Sequence, residues 1–350
     1  MEKLKKNIKK NIRAAMDITL LFYGILNFFV RKKNNEKYYL AMIRLHCFSG
    51  GKTTDLANRV VGLLSKKQPI KNIDLQPIFL PPKSSQETQK IIHALNKEGC
   101  YIFSEKFPDE MVEHFVQMAL KEPCRVEDLH QILPDPLVFD PKHPKAARYS
   151  IPTEVLLNDS LMQAMILDKT LIDIATQYLQ NTPKLDICTV WWSTAWAKEP
   201  STQAAQMYHF DMDRIKWLKL FIYLVDVDET NGPHVFVKKT HQYDKRQNHL
   251  LTGGYVRLAD EAVESVFSDQ VTHITGPKGT MFLADTRAFH KGLLPEAGNR
   301  LVLQLEFTSC LFGAAFSAIP NTIQIKSPIL KQLLLQQPDL MPLIQSWESL

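Results

Sequence analysis

Little in this chain favours a fold held by covalent or zinc staples. Its five cysteines, Cys47, Cys100, Cys124, Cys188 and Cys310, are scattered over 350 residues, and no two form a CxxC pair. Such spacing argues against a zinc cluster or a disulfide framework. It suits a reducing compartment, so a cytoplasmic protein is expected. Charge of one sign is also scarce. The formal net charge is +5, and much of the excess sits between Lys3 and Lys33. The remainder is close to neutral, which gives no basic groove and no expectation of a nucleic-acid partner. Internal repeats and low-complexity tracts are absent. Apolar residues make up 45% and charged residues 23%, so a sizeable core is expected rather than disorder.

A long apolar run is missing too. The best candidate, Ile18 to Val30 (ITLLFYGILNFFV), falls short of the roughly 20 residues a spanning helix needs. The basic stretch RKKNN follows it, with no small-residue cleavage site of the signal-peptide kind. Asp17, Gly24, Asn27 and Arg31 recur at helical spacing and predict a helix with a narrow polar stripe. Two placements compete. The helix packs on the body of the protein, or it lies on a membrane surface through residues 14–33, which would make the protein membrane-associated.

Residues 1–86 read as a mainly helical extension ending in a linker, QPIFLPPKSS, from Gln76 to Ser85. Gly50-Gly51-Lys52-Thr53 resembles the end of a P-loop. The opening glycine of that motif, five positions ahead of Gly51, is replaced by His46, so the stretch reads as a turn capping a helix through Leu64. A helix, a turn at Gly99 and a strand at Tyr101–Phe103 follow, and Pro108 should open another helix at its first position. Residues 125–150 are proline-punctuated and irregular. Asp159 to Leu179 carries a helical apolar stripe. From Asp186 the period changes to two. Strands are expected within DICTVWWSTAW, QMYHFDMD, WLKLFIYLVDV, HVFVKK, THITGPKGTMFLAD and RLVLQLEFT, separated by turns such as Asn231-Gly232-Pro233. Short strands after a helical half suggest a jelly roll or small barrel. A helical tail is expected over 313–350.

His209 and Asp211 would share one face of a strand, with Phe210 on the other. Alone, an HxD pair is more often two solvated side chains than a metal site. A two-histidine, one-carboxylate triad needs a third ligand. His234, His241, His249, His273 and His290 are the downstream candidates, and His290, after the strand Thr280–Ala284, stands out. Ten residues later Arg300 opens a strand on which Leu301, Leu303, Leu305 and Phe307 face one way. Arg300, Val302, Gln304 and Glu306 face the other. An arginine there can pair with a dicarboxylate, although a surface charge at a strand start is the blander reading. Arg148 and Lys219 are alternative cations.

His209, Asp211, His290 and Arg300, in this order, resemble the phytanoyl-CoA dioxygenase family of iron(II)- and 2-oxoglutarate-dependent oxygenases. GCYIFSEKFPDEMVEHF is similar to that family's opening strand and helix. LKLFIYLVDVDETNGPHVFVKKTHQ is similar to its central strand and loop, and GTMFLADTRAFHKGLLPEAGNRLVLQLEF to its closing half. The resemblance spans roughly residues 88–310. It implies an α+β chain whose core, over 87–312, is a double-stranded β-helix, a cupin-like jelly roll with flanking helices. It implies His209, Asp211 and His290 as iron ligands and Arg300 as partner of the distal carboxylate of 2-oxoglutarate. It also implies O2 as co-reactant, with succinate and CO2 as coproducts. Gln206, Lys219 and Tyr223 would contact the cosubstrate if strand parity turns them inward. Asp213 either orients a ligand or meets solvent. Lys239-Thr240-His241 replaces the family's frequent Gly-Ser-His, which makes His241, like His234, structural. Trp191, Trp192 and Trp196 read as core and rim.

The presence of Asp211 favours hydroxylation over halogenation, on a small-molecule or lipid-like substrate. Desaturation or epimerisation at the same iron is an alternative within enzymes. A non-catalytic jelly-roll binding protein is the alternative outside them, but it would not need all four residues. A membrane-associated scaffold would leave the triad without purpose.

Overall fold

The computed structural model describes residues 2–65, 70, 73–127, 132–200 and 205–349; within its first helix, side chains are described from Lys10 onward. Two antiparallel sheets form its centre. Strands β1 (Cys100–Ile102), β2 (Arg125–Glu127), β3 (Arg148–Ser150), β4 (Lys184–Thr194), β5 (Trp217–Tyr223), β6 (His234–Val237), β7 (Val271–Ile274), β8 (Met281–Ala284), β9 (His290–Gly292) and β10 (Asn299–Thr308) supply them. The larger sheet runs β1-β8-β5-β10-β4-β3-β2 and the smaller β7-β6-β9. This is the jelly roll of an α+β chain.

The alternation on β10 builds the layers. Leu301, Leu303, Leu305 and Phe307 join the main core with Leu95, Phe115, Leu171 and Ile174 of the helices outside the larger sheet. Those helices include α4 (Ser85–Glu98), α5 (Asp109–Lys121), α6 (Thr153–Leu157), α7 (Ser160–Met165) and α8 (Lys169–Leu179). Val302 faces the other way, into a cluster between the sheets with Trp191, Phe221, Phe236, Ile274 and Phe282. Each fully buried side chain of this size contributes roughly 1.5–3 kcal/mol.

The N-terminal helices α1 (Glu2–Arg31), α2 (Glu36–Ser49) and α3 (Lys52–Leu64) cover the outer side of the smaller sheet. Leu21, Ile25, Met42 and Val61 share one core with Phe210, Val235, Val237 and Phe289. The helix α9 (Asp260–Phe267) closes the same layer through Val263 and Phe267. Residues 10–65 thus share their core with the barrel. The Gly50-Gly51 pair caps α2 and opens α3, at φ 60° and 92°. It is a turn, as its sequence predicts.

Several expectations are corrected. The stripe of α1, whose direction the sequence leaves open, turns Asp17 and Gly24 toward the protein. Asp17 is buried in a two-point ion pair with Arg44, 2.9 and 2.5 Å, and Gly24 lies against the Tyr38 ring. The exposed side carries Ile12, Met16, Tyr23, Leu26 and Val30. The helix expected from 159 to 179 breaks between α7 and α8. There Asp168 caps Leu171 and also accepts from the amides of Ile78, Phe79 and Leu80, which fixes the linker. Pro108 is the N-cap of α5, one residue earlier than expected. QMYHFDMD is not a continuous strand: only Tyr208 and His209 make bridges. The tail is only partly helical. The helix α10 (Pro328–Gln336) lies between the two strands of a parallel pair, β11 (Ile323–Ile325) before it and β12 (Trp347–Ser349) after it.

Candidate active site

His209 and His290 come from segments 81 positions apart, yet they are direct neighbours. They exchange both backbone hydrogen bonds: His209 N–H to His290 O at 3.0 Å, and His290 N–H to His209 O at 2.8 Å. Such a pair puts both side chains on one face, and the ring centroids lie 4.2 Å apart. Asp211, two residues on, is held by its N–H on Thr286 O at 2.8 Å. Phe210 and Phe289 point away into the core. Phe210 stacks on His46, with ring centroids 5.3 Å apart.

Ligand atoms of His209, Asp211 and His290 all lie within 4.8 Å of one another. Each imidazole is oriented the same way. His209 Nδ1 is 2.9 Å from Met207 O and His290 Nδ1 is 3.0 Å from Ala288 O. Donation to those carbonyls leaves both Nε2 atoms free, facing Asp211 oxygens at 3.6 and 3.7 Å. Burial, reinforced by the neighbouring His290, holds His209 down at about 3. Burial likewise lowers His290. Burial pushes Asp211 up, but Lys219 and the two imidazoles outweigh it and hold the carboxyl below the usual range. Two neutral imidazoles and one ionised carboxylate are what a divalent metal requires, so the donor set fits iron(II).

Lys219, on β5, sits across from Glu306 of β10. Its ammonium lies 2.7 Å from Asp211 and 3.3 Å from Glu306. Burial opposes its charge, and these two carboxylates restore it. Lys219 therefore offers no unpaired charge to a cosubstrate. It orients Asp211. Gln206 is buried and is not among the residues lining the cavity, and Asp213 is exposed. Tyr223 bonds His234 Nδ1 and Ile274 O, at 3.1 and 2.7 Å.

The triad opens into a cavity of about 820 Å³ that Arg300, Arg148, Arg257, His234 and Trp191 also line. Arg300 is buried rather than at the surface. It donates to Gly232 O and to Ser193 Oγ, the latter at 3.3 Å, and its Nε has no partner. Burial lowers its pKa to about 10. Two glycines adjoin it. Gly232 presents its carbonyl from φ 83°, and a Cβ on Gly292 would lie 3.1 Å from Arg300 Nη2. The Asn-Gly-Pro loop thus serves the arginine. Arg148 lies beside Ser193 on β3, with its guanidinium 4.6 Å from the Trp191 ring. Of the three residues replacing Gly-Ser-His, Lys239 has φ 69°, a region that favours glycine. The Thr240 hydroxyl accepts from Phe289 N at 2.9 Å, next to His290. His241 meets Asn96 O outside the cavity.

Other supports have no sequence signal of their own. Asp285 and Arg287 form a buried ion pair at 2.7 Å under the loop that carries His290, and Trp217 Nε1 donates to Thr286 Oγ1 at 2.7 Å. Arg257 is brought beside His209 by a bridge between Leu258 and Tyr208. No local motif around it announces that place.

Residues 113–293 match the family described as phytanoyl-CoA dioxygenase (PhyH). This is more than half of the chain, and the chain belongs to that family. It is an oxidoreductase of the Fe(II)- and 2-oxoglutarate-dependent class, which uses O2. No curated protein matches it. Among solved structures, it resembles EctD from S. alaskensis with bound Fe at 15% identity and a TM-score of 0.45, over 69% of this chain and 85% of that one. HygX from Streptomyces hygroscopicus, with nickel and 2-oxoglutarate bound, gives 15% identity and a TM-score of 0.45, over 65% and 95%. The epimerase SnoN, in complex with Fe3+, alpha ketoglutarate and nogalamycin RO, gives 14% and 0.45, over 65% and 85%.

Proposed function

We propose that this oxygenase hydroxylates a small-molecule substrate, with His209, Asp211 and His290 as its iron ligands. The observation that carries the reading is the convergence of three ligand atoms of the right protonation on one cavity wall. Bound there, iron(II) would supply the oxidising power with 2-oxoglutarate and O2, with succinate and CO2 as coproducts. The chain's own residues do the rest. Met207 O and Ala288 O fix both imidazole tautomers. Lys219 keeps Asp211 ionised and aimed. Arg300 takes the distal carboxylate of 2-oxoglutarate, because its guanidinium is buried with no acidic partner among the described residues. Trp191, Phe221 and His234 wall the site from water.

The test is iron stoichiometry. Purified without oxygen, the protein should bind about one Fe(II) per chain. His209→Ala with Asp211→Ala should abolish both tight binding and succinate release from 2-oxoglutarate. Full iron binding in the double variant would sink the assignment.

We also infer a cytoplasmic protein that rests on an anionic membrane surface through α1. Its five cysteines are all free, in keeping with a reducing compartment. The support for the membrane is the exposed stripe from Ile12 to Val30, flanked by exposed Lys10, Arg13, Arg31, Lys32 and Lys33. Residues 10–31 are long and apolar enough to cross a bilayer by length and composition. Crossing would pull Asp17 off Arg44 and Leu21 and Ile25 out of the core, so lying flat is favoured.

A further inference from the structure

The cavity is lined by more cations than iron(II) and 2-oxoglutarate can use. Lys219 is matched by Asp211 and Glu306. Arg148 has Glu127 at 3.8 Å and the Trp191 face. Arg300 is matched by the distal carboxylate of the cosubstrate, and the other carboxylate would lie against the metal. Arg257 has nothing. It lines the same cavity, makes no hydrogen bond or ion pair among the described residues, and keeps Nη1 buried without a partner.

Its position is built. Leu258 N–H donates to Tyr208 O at 2.8 Å, and the Tyr255 ring packs on Phe210 at 5.2 Å. The chain from Tyr255 to Leu258 is thereby held alongside the iron ligand His209. Arg257, His209 and His290 line the same cavity. A buried guanidinium nitrogen without an acceptor is unfavourable, and a two-oxygen anion is the group whose shape satisfies it.

We propose that Arg257 receives a carboxylate or phosphate of the substrate, so that the enzyme selects anionic over neutral substrates. This rests on the oxygenase reading above and adds to it the chemical class of the substrate.

The experiment uses the full chain with Fe(II) and 2-oxoglutarate, free of oxygen. Three probes of one chain length, hexanoate, hexyl phosphate and hexanol, are titrated by calorimetry, and the iron–cosubstrate absorption band is followed in parallel. At least one anion should bind about tenfold or more tightly than hexanol, as expected for a charge-assisted contact. Which anion wins identifies the group. Arg257→Met should erase that preference while iron stoichiometry and 2-oxoglutarate affinity stay at wild-type values, and Arg257→Lys should restore part of it. Absence of an anion preference in the wild type, including absence of any binding, would overturn the proposal. So would a preference that survives Arg257→Met, or a loss of 2-oxoglutarate affinity in that variant, which would assign Arg257 to the cosubstrate. Failure of the wild type to bind iron or 2-oxoglutarate would instead count against the oxygenase reading, and calorimetry of the probes would still report on Arg257.

Discussion

Replacing Arg287 with methionine should loosen the site from beneath. Arg287 Nε lies 3.0 Å and Nη2 2.7 Å from the two oxygens of Asp285, and Nη1 lies 2.8 Å from Asp55 of α3. Asp285 is wholly buried and Arg287 nearly so. The variant keeps the apolar stem but leaves Asp285, among the described residues, with only the Tyr178 hydroxyl, at 2.5 Å, and the backbone N–H of residue 287 as donors. Breaking a buried pair from one side costs about 3–5 kcal/mol, because the remaining charge stays out of water. That is a large share of a total stability of roughly 5–15 kcal/mol. Asp285→Ala should cost less, since Arg287 keeps the half-exposed Asp55. The double variant buries no orphan charge, so its cost should fall short of the sum of the singles by about 1–3 kcal/mol. Urea unfolding of the metal-free proteins measures all three. Costs that add to within about 0.5 kcal/mol would refute the argument that this pair holds the loop of Thr286 and His290.

Other outcomes can be checked separately. Arg300→Leu should leave iron bound but weaken 2-oxoglutarate by about 2–5 kcal/mol, read by anaerobic titration; an unchanged affinity would move the distal carboxylate to another cation, Arg148 first. Burial, with help from Arg287, holds His46 down at about 4, below its unfolded value of about 6.5. The unfolded chain therefore takes the proton first. Stability is complete above pH ~6.5 and lost by on the order of 3 kcal/mol as pH falls towards 4. His46→Phe should remove that part of the acid sensitivity, and equal losses in both proteins between pH 7 and 4.5 would contradict it. The intact protein should float with anionic liposomes at low salt and be released at high salt; no binding at low salt would remove the membrane reading.

The chemistry was more legible than the surfaces. HxD, the later histidine and the arginine after it are local patterns, and the parity on β10 follows from a period of two. The stripe on α1 was legible as a stripe but not as a side. Which way Asp17 faces is not written locally, because Arg44, which neutralises it, lies 27 positions away. Lys219 read as a cosubstrate contact because nothing near it announces Glu306 on the neighbouring strand. Arg257 could not be found at all, since its place depends on Leu258 meeting Tyr208 across 50 residues. Asp168 broke a helix that periodicity alone would have continued, because three amides of a distant linker converge on its carboxylate.

The reciprocal backbone bonds between His209 and His290 carry a consequence for metal handling. Both imidazoles are set by the protein's own amides and carbonyls, so the nest for the ion exists before the ion arrives. Little conformational freedom is left to lose on loading, and none of the fold depends on the metal as a rivet. A chelator should strip the ion without melting the protein, and refilling should need only diffusion. The same arrangement makes the site intolerant of a one-residue slip between the two segments. Such a slip would turn the ring of the shifted segment into the apolar layer and bring its neighbour, Phe210 or Phe289, to the mouth of the cavity.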